Sequence, residues 1–537
     1  MQTSTHGRAS TKLDLALLIL TVVTLYLSLF RFPYYPYLVE GDSLLFLSAA
    51  GRMMGGEYLY RDVFEITFPG THVLYLSLFL VFGIKYWVYG LAVILAGAAH
   101  FWITLQISRK LIVGGLAALP AVLFIFFGFR QLSLDGSHRI FSPIFAMAAA
   151  WVLLKSTDAK RIAAAGALCA VAAFFTQQRG VLAIAGLIVF LFLHHRYTGG
   201  GYRRFVPDAA LLLATFLFAI AVLCSYFVAT AGFETFLHST FVYPARHYSA
   251  DPQNNFGALF LSLSGLYAAD GGSVLRPTFT SALLHSVVPL FVYVAFVAAA
   301  IKSRISKNWE RWRGVTLVVL VGVFLYFGTT GPHALRLFNV SAPALIAGAW
   351  LLHNTKAVRN YGSMFAAALS VAVILLSWSQ IIRTQRSRAE LEINSPRGKV
   401  LAPRSPQVER YSWIVEHTRP GEYVFEAWPG YIYFLPALRN PSPYNMILPT
   451  DYTRPEWVQE TVRSLRSKPT RYVLWDDSYN KPHSEREAGD HTGIMSEYLT
   501  SEYEPTGFRY KFFDRDFQIW EKKRSDEGDP GKTQSDE

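Results

Sequence analysis

The sequence predicts an α-helical multi-pass membrane bundle of about eleven spans, followed by a small C-terminal α/β soluble domain. Three observations predict it. Apolar residues fill 52% of 537 positions and charged residues only 16%, against about a quarter charged in an ordinary soluble chain. Apolar runs long enough to cross a bilayer recur from residue 13 to residue 382, and mean hydropathy is +0.26. Beyond residue 383 the composition turns polar and mixed.

The N-terminus carries Arg8 and Lys12 and then the apolar run Leu13–Phe30. Arg31-Phe-Pro follows in place of a small-residue cleavage pattern, so the run reads as an uncleaved first helix. Further spans are expected near 86–107, 112–129, 139–154, 162–176, 180–195, 207–230, 281–301, 314–330, 335–352 and 361–382. The basic loops at Arg109-Lys110, Lys155 to Arg161, Arg196 to Arg204, Lys302 to Arg313 and Lys356 to Arg359 then all share the side of the N-terminus. The positive-inside rule makes that side cytoplasmic and puts the C-terminal domain outside, as in a bacterial inner or plasma membrane. It also accounts for the net charge of +12 without a nucleic-acid partner. The run 70–84 is too short for a comfortable crossing, and counting it would invert every later loop. It reads as an interfacial or re-entrant helix inside a first outer loop of 31–85.

The other outer loops are 130–138, a turn near 177–179, 231–280 and 331–336. Loop 231–280 contains Tyr243-Pro-Ala-Arg246-His247-Tyr248 and Asp251-Pro-Gln-Asn-Asn. It is too long for a simple connection and reads as a flap. Cys169 and Cys224 fall in apolar segments and read as small core residues, with no disulfide framework. Domain boundaries follow: 1–382 membrane domain, 383–405 linker, 406–522 α/β domain, 523–537 disordered tail. Within the α/β domain we expect helices at Val408–His417, Tyr431–Leu435, Pro455–Ser467 and Ile494–Tyr503. Strands are expected at Tyr423–Ala427 and Arg471–Asp477, with a terminal hairpin from Tyr510–Phe513 and Phe517–Glu521.

The chemistry concentrates in the first outer loop, where Glu40, Asp42, Glu57, Asp62 and Glu65 crowd one short stretch. Asp42 is the candidate catalytic residue: an ionised carboxylate at the mouth of a bundle can take a proton from an acceptor hydroxyl or amine. The plainer reading is that Asp42 or Ser43 caps a helix over Leu44–Met54 that Gly55-Gly56 ends. Arg52, Arg61 and Arg139 offer guanidinium forks that match phosphate, though Arg61 sits beside Asp62 and pairs there more naturally. Arg139, Arg179 and Arg336 lie at outer helix ends, with Asp135 and His138 in the loop before the first and His333 in the loop before the last. There the positive-inside rule does not explain the cations, and headgroup snorkelling is the alternative. With Glu40, Arg52, Asp62 and Glu65 they form the candidate substrate- and phosphate-binding set. No Walker loop, Rossmann glycine pattern, nucleophile elbow or His-rich metal motif occurs. Glu40-Gly-Asp42 only loosely imitates an acidic metal motif, so no cofactor is assigned and a divalent metal is left open.

Asp42 just after the first span, Ala49-Ala50-Gly51-Arg52, Gly56-Glu57-Tyr58-Leu59-Tyr60-Arg61-Asp62, Pro69-Gly70, Asp135, and Trp413 to Phe425 form a pattern over nearly the whole chain. It resembles the lipid-dependent GT-C membrane glycosyltransferases of the protein O-mannosyltransferase and aminoarabinose transferase type. The resemblance implies a polyprenyl-phosphate-linked sugar donor, inversion at the anomeric carbon, and transfer to a glycan, lipid or protein acceptor on the outer face. It places the family's loop aspartate at Asp42. Gln178-Arg179 stands where a Lys is common, and a Lys-Pro-Pro pattern is absent near Pro69, which separates the chain from aminoarabinose transferases there. The alternative class is a transporter or flippase of lipid-linked glycans, which predicts repeat symmetry and charges midway along helices.

Overall fold

Long apolar runs become long helices because a bilayer leaves no water to satisfy the backbone, and a helix satisfies it internally. The structure, a computed structural model, describes residues 3–248, 254, 257–269, 271–387, 390–487, 489–512 and 515–524. Among these, seven helices are long and apolar enough to cross a membrane. They are Thr11–Leu29 within α1 (Thr3–Leu29), α4 (Trp87–Leu111), α5 (Gly115–Leu132), α8 (Gln177–Tyr197), α9 (Gly201–Ala231), α11 (Pro277–Lys302) and Tyr361–Arg386 within α15 (Lys356–Arg386). The pair α13 (Ala334–Val340) and α14 (Ala342–His353), bent by 62°, makes an eighth if it is one broken span.

Three further expected spans are helices of lower apolarity or length. Helix α6 (His138–Lys155) carries His138, Arg139 and Lys155, and α7 (Ala159–Phe175) has 17 residues. Helix α12 (Trp309–Phe327) opens with Glu310, Arg311 and Arg313. The run read as interfacial or re-entrant is α3 (Gly70–Phe82), 13 residues long and therefore about 20 Å.

The chain divides into two units, 1–392 with 398–402, and 393–397 with 403–537. In the first, α6, α7, α8, α12 and α14 share a core that includes Leu153, Cys169, Leu187, Val315 and Trp350. Small residues let backbones approach, as in membrane bundles generally. A Cβ on Gly180 would lie 2.4 Å from Ala173 N and 2.5 Å from Cys169 O, so α8 meets α7 at backbone distance beside Arg179. Both cysteines are buried and free.

The first outer loop folds as a short hairpin (β1 Phe30–Arg31, β2 Tyr35–Pro36), α2 (Asp42–Met54), a turn over 55–69, and α3. Leu59, Tyr60, Val63 and Phe68 cluster with Phe174 of α7 and Phe227 of α9. Tyr60 has φ 69, a left-handed conformation unusual for an aromatic residue. Its N–H donates to Val63 O (2.8 Å) and its hydroxyl to Thr67 O (2.7 Å), which hold it there. Gln177, the first residue of α8, donates to Ile66 O and Thr240 O, both at 2.9 Å. It thereby ties the first loop to the helical segment at 233–248. The stretch read as a flap is largely helical where described. Phe233–Leu237 and two π turns lead to Tyr248, and α10 (Gly257–Ala269) follows. Of Asp251-Pro-Gln-Asn-Asn, only Asn254 lies within the described residues.

Residues 383–405 are more ordered than a linker. Helix α15 continues to Arg386, and β3 (Glu390–Ser395) pairs with β4 (Gly398–Pro403). Arg31 pairs with Glu390 and donates to Ser387 O, and Leu38 N–H donates to Leu401 O at 2.7 Å. These contacts bring the segment onto the first hairpin. The second unit holds a four-stranded sheet in the order β5 (Tyr423–Glu426), β6 (Thr470–Asp476), β8 (Arg515–Lys522), β7 (Tyr503–Phe512). The β5–β6 pair is parallel and the others antiparallel. Its helices are α16 (Pro406–His417), α17 (Pro455–Ser467) and α18 (Gly493–Glu502). The helix expected over Tyr431–Leu435 is a run of turns, because Ile432 N–H donates to the buried Glu426 carboxylate (3.0 Å) and not to a helical carbonyl. Phe513 and residues 525–537, most of the expected tail, lie outside the described residues.

Candidate active site

Asp42 opens α2, but it does not cap it, and neither does Ser43. The N-cap is Gly41, which has no side chain to offer. The acceptor comes from 92 residues away: Ser43 N–H donates to Asp135 Oδ1 at 3.0 Å. This contact needs glycine at 41, since a Cβ there would lie 2.9 Å from Asp135 Oδ1. Gly41→Ala should therefore push Asp135 off the helix and destabilise the fold by about 1–3 kcal/mol, the usual range for overpacking. Thermal unfolding in detergent measures this, and an unchanged midpoint would mean that Asp135 does not hold α2.

The loop carrying Asp135 is fixed from behind. Tyr75 donates its hydroxyl to Gly136 O at 2.5 Å, Tyr89 donates to Leu134 O, and Asp135 N–H donates to Ser133 Oγ at 3.2 Å. Burial raises the Asp135 carboxyl above the usual carboxylate range, and the Asp42 charge adds to it; Arg139 and the donors around it oppose the rise.

Arg139, in the first turn of α6, joins the two carboxylates. Its Nη1 lies 2.6 Å from Asp42 Oδ2 and 4.0 Å from Asp135 Oδ2. Arg179 approaches from α8 and donates to the Arg139 main-chain oxygen. It is 5% exposed, and among the described residues that carbonyl is its side chain's hydrogen-bond acceptor. The charges acting on it are the cations Arg139 and Arg336. His138 Nδ1 lies 2.8 Å from Thr176 Oγ1, just before α8.

Arg336, in α13, donates to Asn254 Oδ1 and Thr330 O, each at 3.0 Å, and interacts with Tyr248. His333, at the start of α13, is half-buried. Burial and then Arg336 and Arg139 push its imidazole down to about 3, while Asp42 opposes them. Three guanidinium groups (Arg139, Arg179, Arg336) thus share one region with two carboxylates (Asp42, Asp135) and two histidines. The guanidinium excess fits an anion with several acceptor oxygens.

The remaining candidates are turned elsewhere. Arg52 donates to Glu57 (2.6 Å) and to Asp62 O (2.9 Å). Asp62 takes two bonds from Arg61, at 3.0 and 2.9 Å, and one from Tyr58 N–H at 2.8 Å. Arg52 and Asp62 therefore close their own turn, and the side-by-side pairing of Arg61 with Asp62 is realised. Glu65 Oε1 accepts from Ile66 N–H, Thr67 N–H and Thr67 Oγ1, and its Oε2 lies 3.2 Å from His72 Nε2. Burial would raise the Glu65 carboxyl, yet His72 and Thr67 hold it below the usual range. That carboxylate locks a turn and is not presented to an anion. Glu40 is half-buried in the segment before α2 and acts on the Tyr86 phenol.

Sequence reasoning did not assign Thr176, Tyr248, Asn254 or His72. Thr176 had a local signal, a polar residue just before a helix start, and Tyr248 and Asn254 lie in the stretches that marked loop 231–280.

Among the described residues no three of His, Cys, Asp and Glu come together as metal ligands, and the Arg139 cation already pairs with the two carboxylates. An apolar groove of about 440 Å³ opens between α3, α7, α9 and the end of α2 opposite Asp42, with Met53, Tyr58, Leu76, Phe174, Leu223 and Phe227 in its lining.

No family model matches the sequence, and no curated protein matches it. Solved structures do match in shape. ArnT from Cupriavidus metallidurans bound to undecaprenyl phosphate gives a TM-score of 0.55 at 12% identity, over 95% of this chain and 98% of that one. The oligosaccharyltransferase of Archaeoglobus fulgidus in complex with Zn and sulfate gives 0.52 at 11% identity, over 92% of this chain and 72% of that one. At such identities the likeness is one of fold alone: the chain shares the fold of ArnT and of the Archaeoglobus fulgidus oligosaccharyltransferase.

Proposed function

We propose that the protein is an integral membrane glycosyltransferase that moves a sugar from a polyprenyl-phosphate donor to a glycan, lipid or protein acceptor on the outer face of the membrane. One observation carries this reading: the buried Arg179, set against two further guanidinium groups and a carboxylate pair at one end of the helices. A buried cation with no carboxylate on it calls for an anionic ligand. The undecaprenyl phosphate bound to the fold relative ArnT supports a lipid phosphate as that ligand, and the apolar groove suits the first isoprenes of its tail.

The donor phosphate is held by Arg179 and Arg336, and it competes with Asp42 for Arg139. Asp42, released from its ion pair, accepts the proton of the acceptor hydroxyl or amine. The acceptor atom bonds to the anomeric carbon as the carbon–oxygen bond to phosphate breaks. Polyprenyl phosphate leaves with the electron pair, and attack opposite the leaving group inverts the anomeric centre. Asp135 keeps α2, and so Asp42, in place. This reading goes with eleven crossings, a cytoplasmic N-terminus and an outer C-terminal unit, supported by the run of basic residues on alternate loops. A transporter would place its charges midway along helices; Asp42, Asp135, Arg139, Arg179 and Arg336 sit instead at helix ends or in a connecting loop.

The test is transfer by the full chain in liposomes from labelled polyprenyl-phosphate mannose, glucose and arabinose to an envelope extract. Protein-dependent labelling of the extract from one donor is expected. Movement of lipid between leaflets without any labelling would favour the flippase and sink the transferase.

A further inference from the structure

The three guanidinium groups account for a phosphate, but nothing yet reads the sugar. Sugar hydroxyls are both donors and acceptors, and a group that reads them best is neutral and offers both. Arginine cannot accept a hydrogen bond, and Asp42, once the phosphate has drawn Arg139 away, is assigned to the acceptor's proton.

We propose that His333 reads hydroxyl groups of the transferred sugar, as a specificity residue beside the phosphate cluster. The proposal rests on the glycosyltransferase reading and refines it, because the sequence placed His333 among the phosphate binders. Four observations carry it. The backbone of His333 is held at the start of α13: its N–H donates to Gly331 O at 2.8 Å, and its carbonyl accepts from Arg336 N–H at 2.9 Å and Leu337 N–H at 3.1 Å. The same short turn is pinned from the other side by Gly331 N–H to Asn254 O at 2.9 Å and Ala334 N–H to Ser262 Oγ at 3.0 Å. Its ring is half-buried and has no hydrogen-bond partner among the described residues, whereas the His138 ring is engaged by Thr176. Finally, the charges that act on the ring are Arg336, Arg139 and Asp42, so it lies within electrostatic reach of both the phosphate cluster and the carboxylate assigned to the proton. A ring on a backbone held by hydrogen bonds, unbonded at both nitrogens among the described residues and kept uncharged by burial and then by its cationic neighbours is suited to a hydroxyl pair and poorly suited to a phosphate.

The experiment compares binding of bare undecaprenyl phosphate with that of polyprenyl-phosphate mannose, glucose and arabinose, for wild type, His333→Ala and His333→Gln in detergent. Wild type should prefer one glycosylated lipid over the bare one by about tenfold or more, the effect of one or two hydrogen bonds. His333→Ala should bring that preference close to one while bare-lipid binding stays within twofold. His333→Gln, which keeps a donor and an acceptor, should retain part of it. Thermal unfolding of both variants checks that they fold, and if His333→Ala does not, the glutamine variant is compared with His333→Lys, which keeps no acceptor and should lose the preference. The proposal is overturned if the variants weaken the bare lipid as much as the glycosylated one, if they leave the preference intact, or if wild type shows no preference among the four lipids. Failure of wild type to bind the bare lipid phosphate would instead sink the glycosyltransferase reading beneath it.

Discussion

Asp42→Asn should lower sugar transfer by about 10²–10⁴-fold, the range for loss of a general base, without weakening the lipid donor. The second half of that expectation comes from the Arg139 contact at 2.6 Å. Asparagine keeps the shape of the side chain but surrenders the charge, which leaves Arg139 freer to meet a phosphate. Affinity for undecaprenyl phosphate should hold or tighten as turnover collapses. The lost ion pair costs stability too, at most about 3 kcal/mol, the low end for buried pairs, because the Asp42 side chain keeps 31% exposure. Turnover and donor affinity measured on the same preparation, with thermal unfolding alongside, separate the two effects. Transfer within tenfold of wild type would remove Asp42 from the proton step. A parallel loss of donor affinity would make it a binding residue.

Arg179→Gln should do the reverse to the fold. The residue is 5% exposed and the charges acting on it are cations, so its charge opposes folding in the absence of a ligand. Removing the charge should leave the unfolding midpoint unchanged or raise it, the pattern expected where function has been placed at the expense of stability. Binding of undecaprenyl phosphate should fall by about 30- to 3000-fold, the equivalent of roughly 2–5 kcal/mol for truncating one partner of a buried charge pair. A variant that unfolds early and still binds the lipid would make Arg179 a structural residue and would leave the anion site to Arg139 and Arg336.

Much of this site was legible in the chain, for a physical reason. Cations are expected on one side of a membrane protein, and Arg139, Arg179 and Arg336 stood out by falling on the other side of the expected topology. The carboxylates were harder. Nothing local distinguishes Asp42, which faces Arg139, from Glu65, which faces His72 and Thr67; both are acids in one loop, and the pairing is decided by segments far away in the sequence. The cap on α2 shows the same limit. A helix start at Asp42-Ser43 suggests a self-cap, but the acceptor is Asp135, and a contact across 92 residues leaves no spacing to read. Helices ending near 54, 417 and 467 were visible in their periodicity and their Gly, Pro and capping residues. The hairpin at 390–403 was not, because its order comes from contacts to Arg31 and Leu38 and not from its own composition.

The Asp135–Ser43 contact has a consequence for biosynthesis. Membrane proteins emerge in chain order, so α2 and Asp42 leave the ribosome well before Asp135, Arg139, Arg179 and Arg336. Until the 133–139 segment arrives, the α2 N-terminus has no acceptor and Asp42 no guanidinium; until α13 arrives, the anion site is short of Arg336. A nascent chain therefore carries Asp42 through the synthesis of residues 43–134 without Asp135 or Arg139, and up to residue 335 without Arg336. On the proposed function, transfer should begin only when α13 brings Arg336 to the other two guanidinium groups.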